Sequence, residues 1–387
     1  MKNIFNVCNL YIGLWGVYYL QGIFYPFGSN IAKLTLLVVL TISLYYWGYV
    51  NINYKLPRPL KYLNVFICLL TIYALVYQLS GDFVSKISTG TTLTAFDNIK
   101  AFCSALLPVY ALYAFVRKGY LNEKVLIYWF LIILLITTGQ FVVYEEVMLS
   151  RSIYNTDGLT NNIAYEFLAI TPFLYFFRNK PVYMYSSALY IYTYIIWGMK
   201  RGAILIGIIA LIIILFNHFK SSSFKKKIII SILSVVLIVI LYQVLFELSA
   251  NSSYFQYRLS KTMDGDSSGR DQYYQTFIDY FINQQDLGNL LIGNGTYSTV
   301  RLVGNLAHND WFELLICNGL LGLFVYLSFW ISLFKYKKTL KDPLAYNVIN
   351  LFFIIFLLKT FFSMSYTSMG IFALMPVAYI MATPQKR

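Results

Sequence analysis

The chain has 387 residues, of which 59% are hydrophobic and 19% aromatic, and only 12% are charged. An ordinary soluble domain carries about 25% charged residues, so this composition excludes a soluble globular protein. The mean hydropathy of +0.62 excludes a disordered chain, because such chains stay unfolded through low hydrophobicity. The composition predicts a polytopic membrane protein whose residues 1–387 form a single integral membrane domain.

A formal charge of +14 would suggest nucleic-acid binding in a soluble protein. Here the basic residues fall in short clusters between apolar runs, so we interpret them as determinants of membrane topology and expect no nucleic-acid partner. The four cysteines form no CxxC pair and have no histidine at ligand spacing, which predicts neither a disulfide framework nor a zinc site. They are Cys8, Cys68, Cys103 and Cys317.

Apolar segments recur along the whole chain, and we predict an all-α fold with about twelve transmembrane helices. Each such helix needs about 20 predominantly apolar residues. The first segment lacks a small-residue cleavage site and is interpreted as a span, not as a signal peptide. The predicted segments lie near residues 4–25, 31–50, 61–80, 98–116, 125–144, 161–177, 182–198, 202–217, 228–248, 312–334, 347–363 and 366–382.

Clusters of lysine and arginine occupy every second loop between these segments, on the same side as Lys2. That side carries 19 basic and 2 acidic residues, whereas the rest of the chain carries 11 basic and 14 acidic residues. Cytoplasmic loops are enriched in lysine and arginine, so both termini are expected in the cytoplasm.

The longest connection on the other side spans residues 249–311 and is expected to contain short amphipathic helices. Its stretch SSGRDQYYQTFIDYFINQQDLGN predicts a helix capped by Ser267 or Ser268 and ended by Gly288. Arg270 would lie in the first turn, where unpaired N–H groups and the positive end of the helix dipole favour phosphate. The expected apolar positions are Phe277, Ile278, Phe281 and Ile282.

The stretch after this helix leads into the tenth predicted span. Asp310 followed by Glu313 is typical of a capping box, which would place His308 just above the membrane on the outer side. His308 is the only histidine predicted on that side, and it is interpreted either as a hydrogen-bonded structural residue or as a base.

Two cations lie where the positive-inside rule disfavours them. Lys200 and Arg201 occupy GMKRG, a very short predicted outer connection. Either Arg201 has a structural role, paired with Glu166 or Glu247 at neighbouring helix ends, or the cations belong to a binding site.

Other features are interpreted as structural. The GNG at Gly293–Gly295 predicts a simple turn, since no βαβ unit surrounds it. Gly198, Gly202 and Gly207 predict helix packing contacts. His218 borders a basic cluster and is interpreted as a solvated loop residue.

Taken together, four ordered motifs resemble those of the bacterial O-antigen polymerase and ligase family. They are RGA at Arg201, SGR ending at Arg270, GNG at Gly293 and AHNDWFELLICNGLLGLFVYL from Ala307. The best-matched stretch is roughly residues 195–335, and its most specific part is the His–Asn pair followed by NGLLG. The family usually has an acidic residue shortly before this turn, where the present chain has cysteine and asparagine.

The resemblance implies an inverting inner-membrane glycosyltransferase of the GT-C kind. Such enzymes act at the periplasmic or outer face on oligosaccharides carried by undecaprenyl diphosphate. By position, the resemblance implies that Arg201 and Arg270 bind the diphosphate and that His308 is catalytic. Supporting residues are Asn309, Asp310, Lys200 and Arg151. A chain-length regulator and a flippase are implied partners.

The residue types suit this chemistry. A sugar that leaves as a lipid diphosphate needs no general acid, so the site must bind phosphates and remove a proton from the attacking hydroxyl. Arginine binds phosphate with a planar fork, and a histidine with a pKa near 6.5 accepts protons at neutral pH. Asp264 and Asp266 form a DxD-like pair, but a lipid diphosphate donor does not require a metal, and we expect neither metal nor cofactor.

We expect a repeat-unit polymerase that transfers to the hydroxyl of another lipid-linked unit. The closest alternative is a ligase that transfers to lipid A core. A secondary transporter is the alternative of a different class, since transporters concentrate ionisable groups near the membrane midplane. Lys359 is the one charge predicted well inside a span.

Overall fold

The computed structural model describes residues 6–80, 85–87, 92–151, 160–265, 269–283 and 286–384. These residues form an almost entirely helical protein, which confirms the all-α prediction. The strands within the described ranges are two short antiparallel ones, β1 (Ser85–Lys86) and β2 (Thr92–Leu93).

The helices follow one another with short connections. The first half contains α1 (Val7–Tyr19), α2 (Asn30–Asn53), α3 (Arg58–Ser80), α4 (Ala95–Leu106), α5 (Pro108–Arg117), α6 (Glu123–Arg151), α7 (Ala164–Ala169), a 3₁₀ helix (Thr171–Phe177) and α8 (Pro181–Trp197). The second half contains α9 (Arg201–Lys220), α10 (Phe224–Asn251), α11 (Ser253–Met263), α12 (Arg270–Asn283), α13 (Leu287–Ile292), α14 (Ser298–Val303), α15 (Asp310–Thr339), α16 (Pro343–Phe362) and α17 (Gly370–Ala382).

Within the described ranges, eight helical stretches are long and apolar enough to cross a membrane. The protein is therefore a multi-pass membrane protein. These stretches are Asn30–Asn53, Arg58–Leu79, Ala95–Arg117, Glu123–Glu146, Arg201–Lys220, Phe224–Asn251, Asp310–Thr339 and Pro343–Phe362.

The predicted count of twelve spans is not confirmed, because four of the predicted segments form shorter helices. Helices α1 and α17 have 13 residues each, and α8 has 17. The segment predicted at 161–177 divides into the six-residue α7 and a 3₁₀ helix with Pro172 in its first turn. Each is shorter than the roughly 20 residues that a straight helical span requires.

Close packing at glycines joins the middle helices. A Cβ atom at Gly198 would lie 2.6 Å from the Cβ atom of Ala164, and one at Gly202 would lie 3.0 Å from that of Phe362. At Gly207 the nearest side-chain atom would be 3.4 Å away. These contacts confirm the predicted packing role and bring the start of α9 against the end of α16.

The interpretation of His218 as a solvated loop residue was wrong. His218 lies in the last turn of α9 and is only 5% exposed. Its Nε2 atom lies 3.2 Å from the carbonyl oxygen of Arg178, so the side chain packs inward from the basic cluster that follows it.

In the described part of the connection between α10 and α15 lie four short helices, α11 to α14. Helix α12 begins at Arg270, which confirms the predicted first-turn position of this arginine, while the proposed caps Ser267 and Ser268 lie outside the described residues. Gly288 does not end this helix. The described part of α12 ends at Asn283, and Gly288 lies within the separate α13, which Asp286 caps through its side chain.

Only part of the predicted apolar face of α12 is buried. Phe277 is fully buried and stands at the centre of a small cluster that includes Phe281. Ile278 and Ile282 are 42% and 69% exposed. The helix therefore packs through a narrow aromatic edge.

Candidate functional site

The residue that caps α15 is Asn309. Its side-chain oxygen accepts hydrogen bonds from the backbone N–H groups of Trp311 (2.9 Å) and Phe312 (3.3 Å). The predicted capping box was wrong, because Asp310 and Glu313 lie inside the first turn and their carboxylates bind elsewhere. His308 is consequently the last residue before the cap.

Asp310 ties this turn to the connection between α16 and α17. Its side chain is fully buried, and its carboxylate accepts a hydrogen bond of 2.7 Å from the backbone N–H of Ser365 and another from the hydroxyl of Tyr326. A buried carboxylate is costly unless its oxygens are hydrogen-bonded, and both oxygens are. Asp310 therefore fixes the position of the start of α15.

Glu313 fixes the backbone that precedes His308. Its buried carboxylate accepts hydrogen bonds from the backbone N–H of Ala307 at 3.0 Å and from the hydroxyl of Thr299, in α14, at 2.9 Å. Ala307 immediately precedes His308. The loop is therefore anchored on one side by Glu313 and on the other by the α15 cap.

His308 adopts a left-handed backbone conformation with φ 51°. Few non-glycine residues adopt this conformation, although histidine, asparagine and aspartate do so more often than others. Burial, and then the positive charges of Arg270 and Lys200, lower the pKa of His308 from 6.5 to about 4. The imidazole is therefore neutral at physiological pH and can accept a proton.

Arg270 reaches the site from the first residue of α12. Its Nη1 atom donates a hydrogen bond of 2.9 Å to the carbonyl oxygen of Phe362, the last residue of α16. This bond satisfies one of the carbonyls that a helix end leaves unpaired. It places the guanidinium beside the end of α16.

Lys200 and Arg201 lie at the start of α9, as the N-cap and the first helical residue. Gly202 packs against Phe362, the residue that binds Arg270, so the starts of α9 and α12 meet at the end of α16. Lys200 and Arg270 therefore both lie close enough to His308 to lower its pKa. Arg201 is the residue after Lys200. The proposed pairing of Arg201 with a glutamate stays a prediction. The side chain of Arg151, a predicted supporting residue, lies outside the described part of the chain.

Lys359 is a buried cation within electrostatic range of Asp310, at the start of α15, and the sequence analysis gave it no role. It is 2% exposed, and its ammonium donates a hydrogen bond of 2.9 Å to the hydroxyl of Ser368 and lies 5.1 Å from the centre of the Tyr165 ring. Glu166 and Asp310 lie within electrostatic range of it. The sequence did contain a signal for Lys359, because an ionisable residue inside an apolar span indicates function or a buried partner.

The GNG motif forms a turn, as predicted. This turn packs against the point where α15 is interrupted. At Gly319 the backbone has φ 62° and ψ −165°, which interrupts the helix. The N–H groups of Asn294 and Gly295 donate 2.9 Å hydrogen bonds to the carbonyl oxygens of Ile316 and Cys317. Two of the four motifs that carry the family resemblance, GNG and the stretch from Ala307, therefore contact one another directly.

Among the described residues, no three histidine, cysteine or acidic side chains form a group that could hold a metal ion. Asp264 lies in the turn after α11, and Asp266, the other member of the DxD-like pair, lies outside the described residues.

No protein-family model matches this chain, and no curated protein matches it.

Proposed function

We propose that this protein is a polysaccharide repeat-unit polymerase. It would transfer an oligosaccharide from undecaprenyl diphosphate to a hydroxyl of another lipid-linked repeat unit. The observation that carries the proposal is the convergence of Lys200, Arg270 and the neutral, partly buried His308 at the ends of α9, α12 and α16. Arg270 and His308 belong to motifs of the resembling family, and Lys200 directly precedes a third motif, RGA at Arg201.

The cations suit a diphosphate. Arginine has five N–H donors in a planar fork, and the bond to Phe362 uses one of them, so the remaining donors of Arg270 can bind phosphate oxygens. Lys200 adds a second positive charge beside His308, and Arg201 supplies a third at the start of α9. Binding the leaving diphosphate more tightly as its charge develops would lower the barrier to transfer.

His308 suits the role of general base. Without substrate it is neutral, because burial and the neighbouring cations disfavour its protonated form. A bound diphosphate would offset the charges of Arg270 and Lys200 and raise the pKa of His308 towards the working pH, where a general base is most effective. The donor would thus improve the base that activates the acceptor.

The charge asymmetry of the chain supports an orientation with both termini in the cytoplasm. The family resemblance implies that the membrane is the bacterial inner membrane. The site would then face the periplasm or the outside, and a flippase would have to deliver the lipid-linked units to that face. A chain-length regulator would act on the growing product.

A secondary transporter is the second candidate, and two observations favour it. Helix α15 is interrupted at Gly319, and discontinuous helices form the binding sites of many transporters. Lys359 is buried inside an apolar helix with Asp310 and Glu166 in electrostatic range. However, the break is filled by the backbone of Asn294 and Gly295, whereas the cations converge near His308.

The deciding experiment incubates the purified protein in lipid nanodiscs with an undecaprenyl-diphosphate-linked repeat unit alone. A ladder of longer products supports the polymerase, and its loss in His308→Asn ties the activity to this site. Transfer that occurs only when lipid A core is added would identify a ligase. If no transfer occurs but proteoliposomes take up the free oligosaccharide, the transporter would replace the polymerase as the proposed function.

A further inference from the structure

Helices α12 and α13 carry exposed apolar side chains, although neither is among the described stretches that could span a membrane. Ile278 and Ile282, one turn apart on α12, are the half-exposed residues of its predicted apolar face. Leu287 and Leu291, one turn apart on α13, are 72% and 48% exposed. Residues one turn apart share a helix face, so each helix presents a short apolar stripe at the surface. Exposed apolar patches of this kind mark sites of contact with a protein or a membrane.

Contacts at both ends of α12 hold it close to the membrane-spanning helices. At its start, Arg270 donates a hydrogen bond to the carbonyl oxygen of Phe362, the last residue of α16. Near its end, the hydroxyl of Tyr280 donates a 2.9 Å hydrogen bond to the side chain of Asn294, in the GNG turn. That turn is itself bonded to α15 at its break. Helix α12 is therefore tied to α15 and α16 and does not project freely away from them.

The apolar stripe of α13 is continuous with the lipid-facing surface of α15. A Cβ atom at Gly319 would lie 2.6 Å from the carbonyl carbon of Leu291, so the backbone of α13 touches α15 at its break. Directly after the break, Leu321 and Phe324 are 46% and 60% exposed within the membrane-spanning stretch Asp310–Thr339. Apolar side chains exposed on a membrane-spanning helix face lipid. The lipid that covers them would also reach the stripe on α13.

The other exposed side of α12 is polar. Gln272 and Thr276, one turn apart, are exposed on the flank away from the two isoleucines. Asp271 and Gln275 lie on the same flank as the isoleucines but nearer the start of the helix, so the apolar stripe is confined to its second half. A helix with one apolar and one polar side lies in the membrane interface, with its apolar side buried about 5–10 Å into the boundary between headgroups and acyl chains.

We infer that the second half of α12, together with α13, inserts Ile278, Ile282, Leu287 and Leu291 into the membrane leaflet on the side of the candidate site. The partner is the acyl chains of membrane phospholipid, because the stripe itself consists of apolar side chains. The insertion would hold α12, and with it Arg270, at the level of the lipid headgroups. It does not require the proposed transferase activity.

The test places a fluorophore at single cysteines in the full chain, with the four native cysteines replaced by serine and the protein reconstituted in phosphatidylcholine nanodiscs. Ile282→Cys and Leu287→Cys report on the stripe. Thr276→Cys is the matched water-facing control, because Thr276 is exposed on the other flank of the same helix. Phe324→Cys is the lipid-facing control on α15. Thermal unfolding of each labelled protein shows whether the fold is kept.

Two quenchers distinguish lipid from water. Phosphatidylcholine brominated on its acyl chains quenches fluorophores in the hydrocarbon, whereas dissolved iodide quenches those in water. We expect brominated lipid to reduce emission about twofold or more at Ile282→Cys and Leu287→Cys, as at Phe324→Cys, because the apolar side of an interfacial helix lies among acyl chains. Emission at Thr276→Cys should stay nearly unchanged. Iodide should quench the positions in the reverse order.

Iodide quenching at the stripe positions equal to that at Thr276→Cys, without quenching by brominated lipid, would place the stripe in water and overturn the inference. Protection from both quenchers would overturn it as well, because a protein surface, such as a second copy of the chain, would then cover the stripe.

Discussion

His308 combines an uncommon backbone conformation with a position between cations, and a substitution can separate these two properties. Asparagine adopts left-handed φ angles readily but cannot act as a base at neutral pH. If His308 removes the acceptor proton, His308→Asn should lower the single-turnover rate by roughly 10²–10⁴-fold while donor affinity stays near that of the native protein. A purely structural histidine would be rescued by asparagine, so a rate near wild type in His308→Asn removes His308 from the mechanism.

If His308 is the general base of the proposed reaction, its pKa should set the acidic limb of activity. Protonation inactivates a general base, so kcat/KM, which reports the free enzyme, should fall as pH drops through about 4, not through the ordinary 6.5. Lys200→Met removes a charge that lowers this pKa and should therefore move the limb to higher pH. The check is a pH profile of kcat/KM for both proteins, with circular dichroism at each pH as a control. A limb at 6.5 in both would contradict the electrostatic coupling.

A substitution at Arg270 tests whether phosphate binding needs the planar guanidinium fork or only a positive charge. Arg270→Lys keeps the charge but replaces a bidentate donor with a point ammonium, so we expect a loss in kcat/KM of more than tenfold, or about 1.4 kcal/mol. Arg117→Lys is a matched control, because Arg117 likewise donates through Nη1 to the last residue of a helix, Ala382, remote from His308. Equal activity of both variants would assign Arg270 to structure alone.

At the scale of elements, local sequence patterns predicted the positions of most helices but not which residues contact the helix ends. The start of α9 agrees with the apolar segment predicted at 202–217, and α12 begins at Arg270, which was predicted to lie in its first turn. The capping box failed because Asp310 binds Ser365, which is 55 residues away in sequence. Such a contact depends on how α15 and α16 pack, and no local pattern encodes it.

The break in α15 could not be predicted from periodicity either, since its residues are as apolar as those of a continuous span. Gly319 has φ 62° and ψ −165°, a combination that is essentially limited to glycine. A Cβ atom there would lie 2.5 Å from the backbone nitrogen of Gly293. The glycine is therefore required both for its conformation and for the approach of the GNG turn.

Gly319→Ala should consequently destabilise the protein. We expect a cost of at least 1–3 kcal/mol from the strained backbone, measured as a lower unfolding temperature in detergent. Gly48→Ala, inside α2, is the control, because an added Cβ there meets nothing within 4 Å and alanine favours a helix. Two variants of equal stability would show that the helix is continuous at Gly319.

At the scale of the whole molecule, the structure separates the candidate site from the basic cluster that follows α9. Helix α9 begins with Arg201 beside the site and ends at Lys220, directly before the lysines at 225–227. A membrane-spanning helix of 20 residues is about 30 Å long, the thickness of the hydrocarbon core. If the basic cluster faces the cytoplasm, the site must therefore face the opposite side.

This arrangement makes a sidedness prediction that requires no substrate. In a background where the four native cysteines are replaced by serine, single cysteines are introduced at exposed positions: Asp264→Cys after α11, Lys225→Cys at the start of α10 and Lys338→Cys at the end of α15. A membrane-impermeant maleimide applied to intact cells should label Asp264→Cys and spare the other two, because the face with 19 basic and 2 acidic residues is expected in the cytoplasm. Permeabilised cells should label all three, which controls for reactivity. Labelling of Lys225→Cys in intact cells would reverse the orientation, place His308 in the cytoplasm and remove the basis for transfer at the outer face.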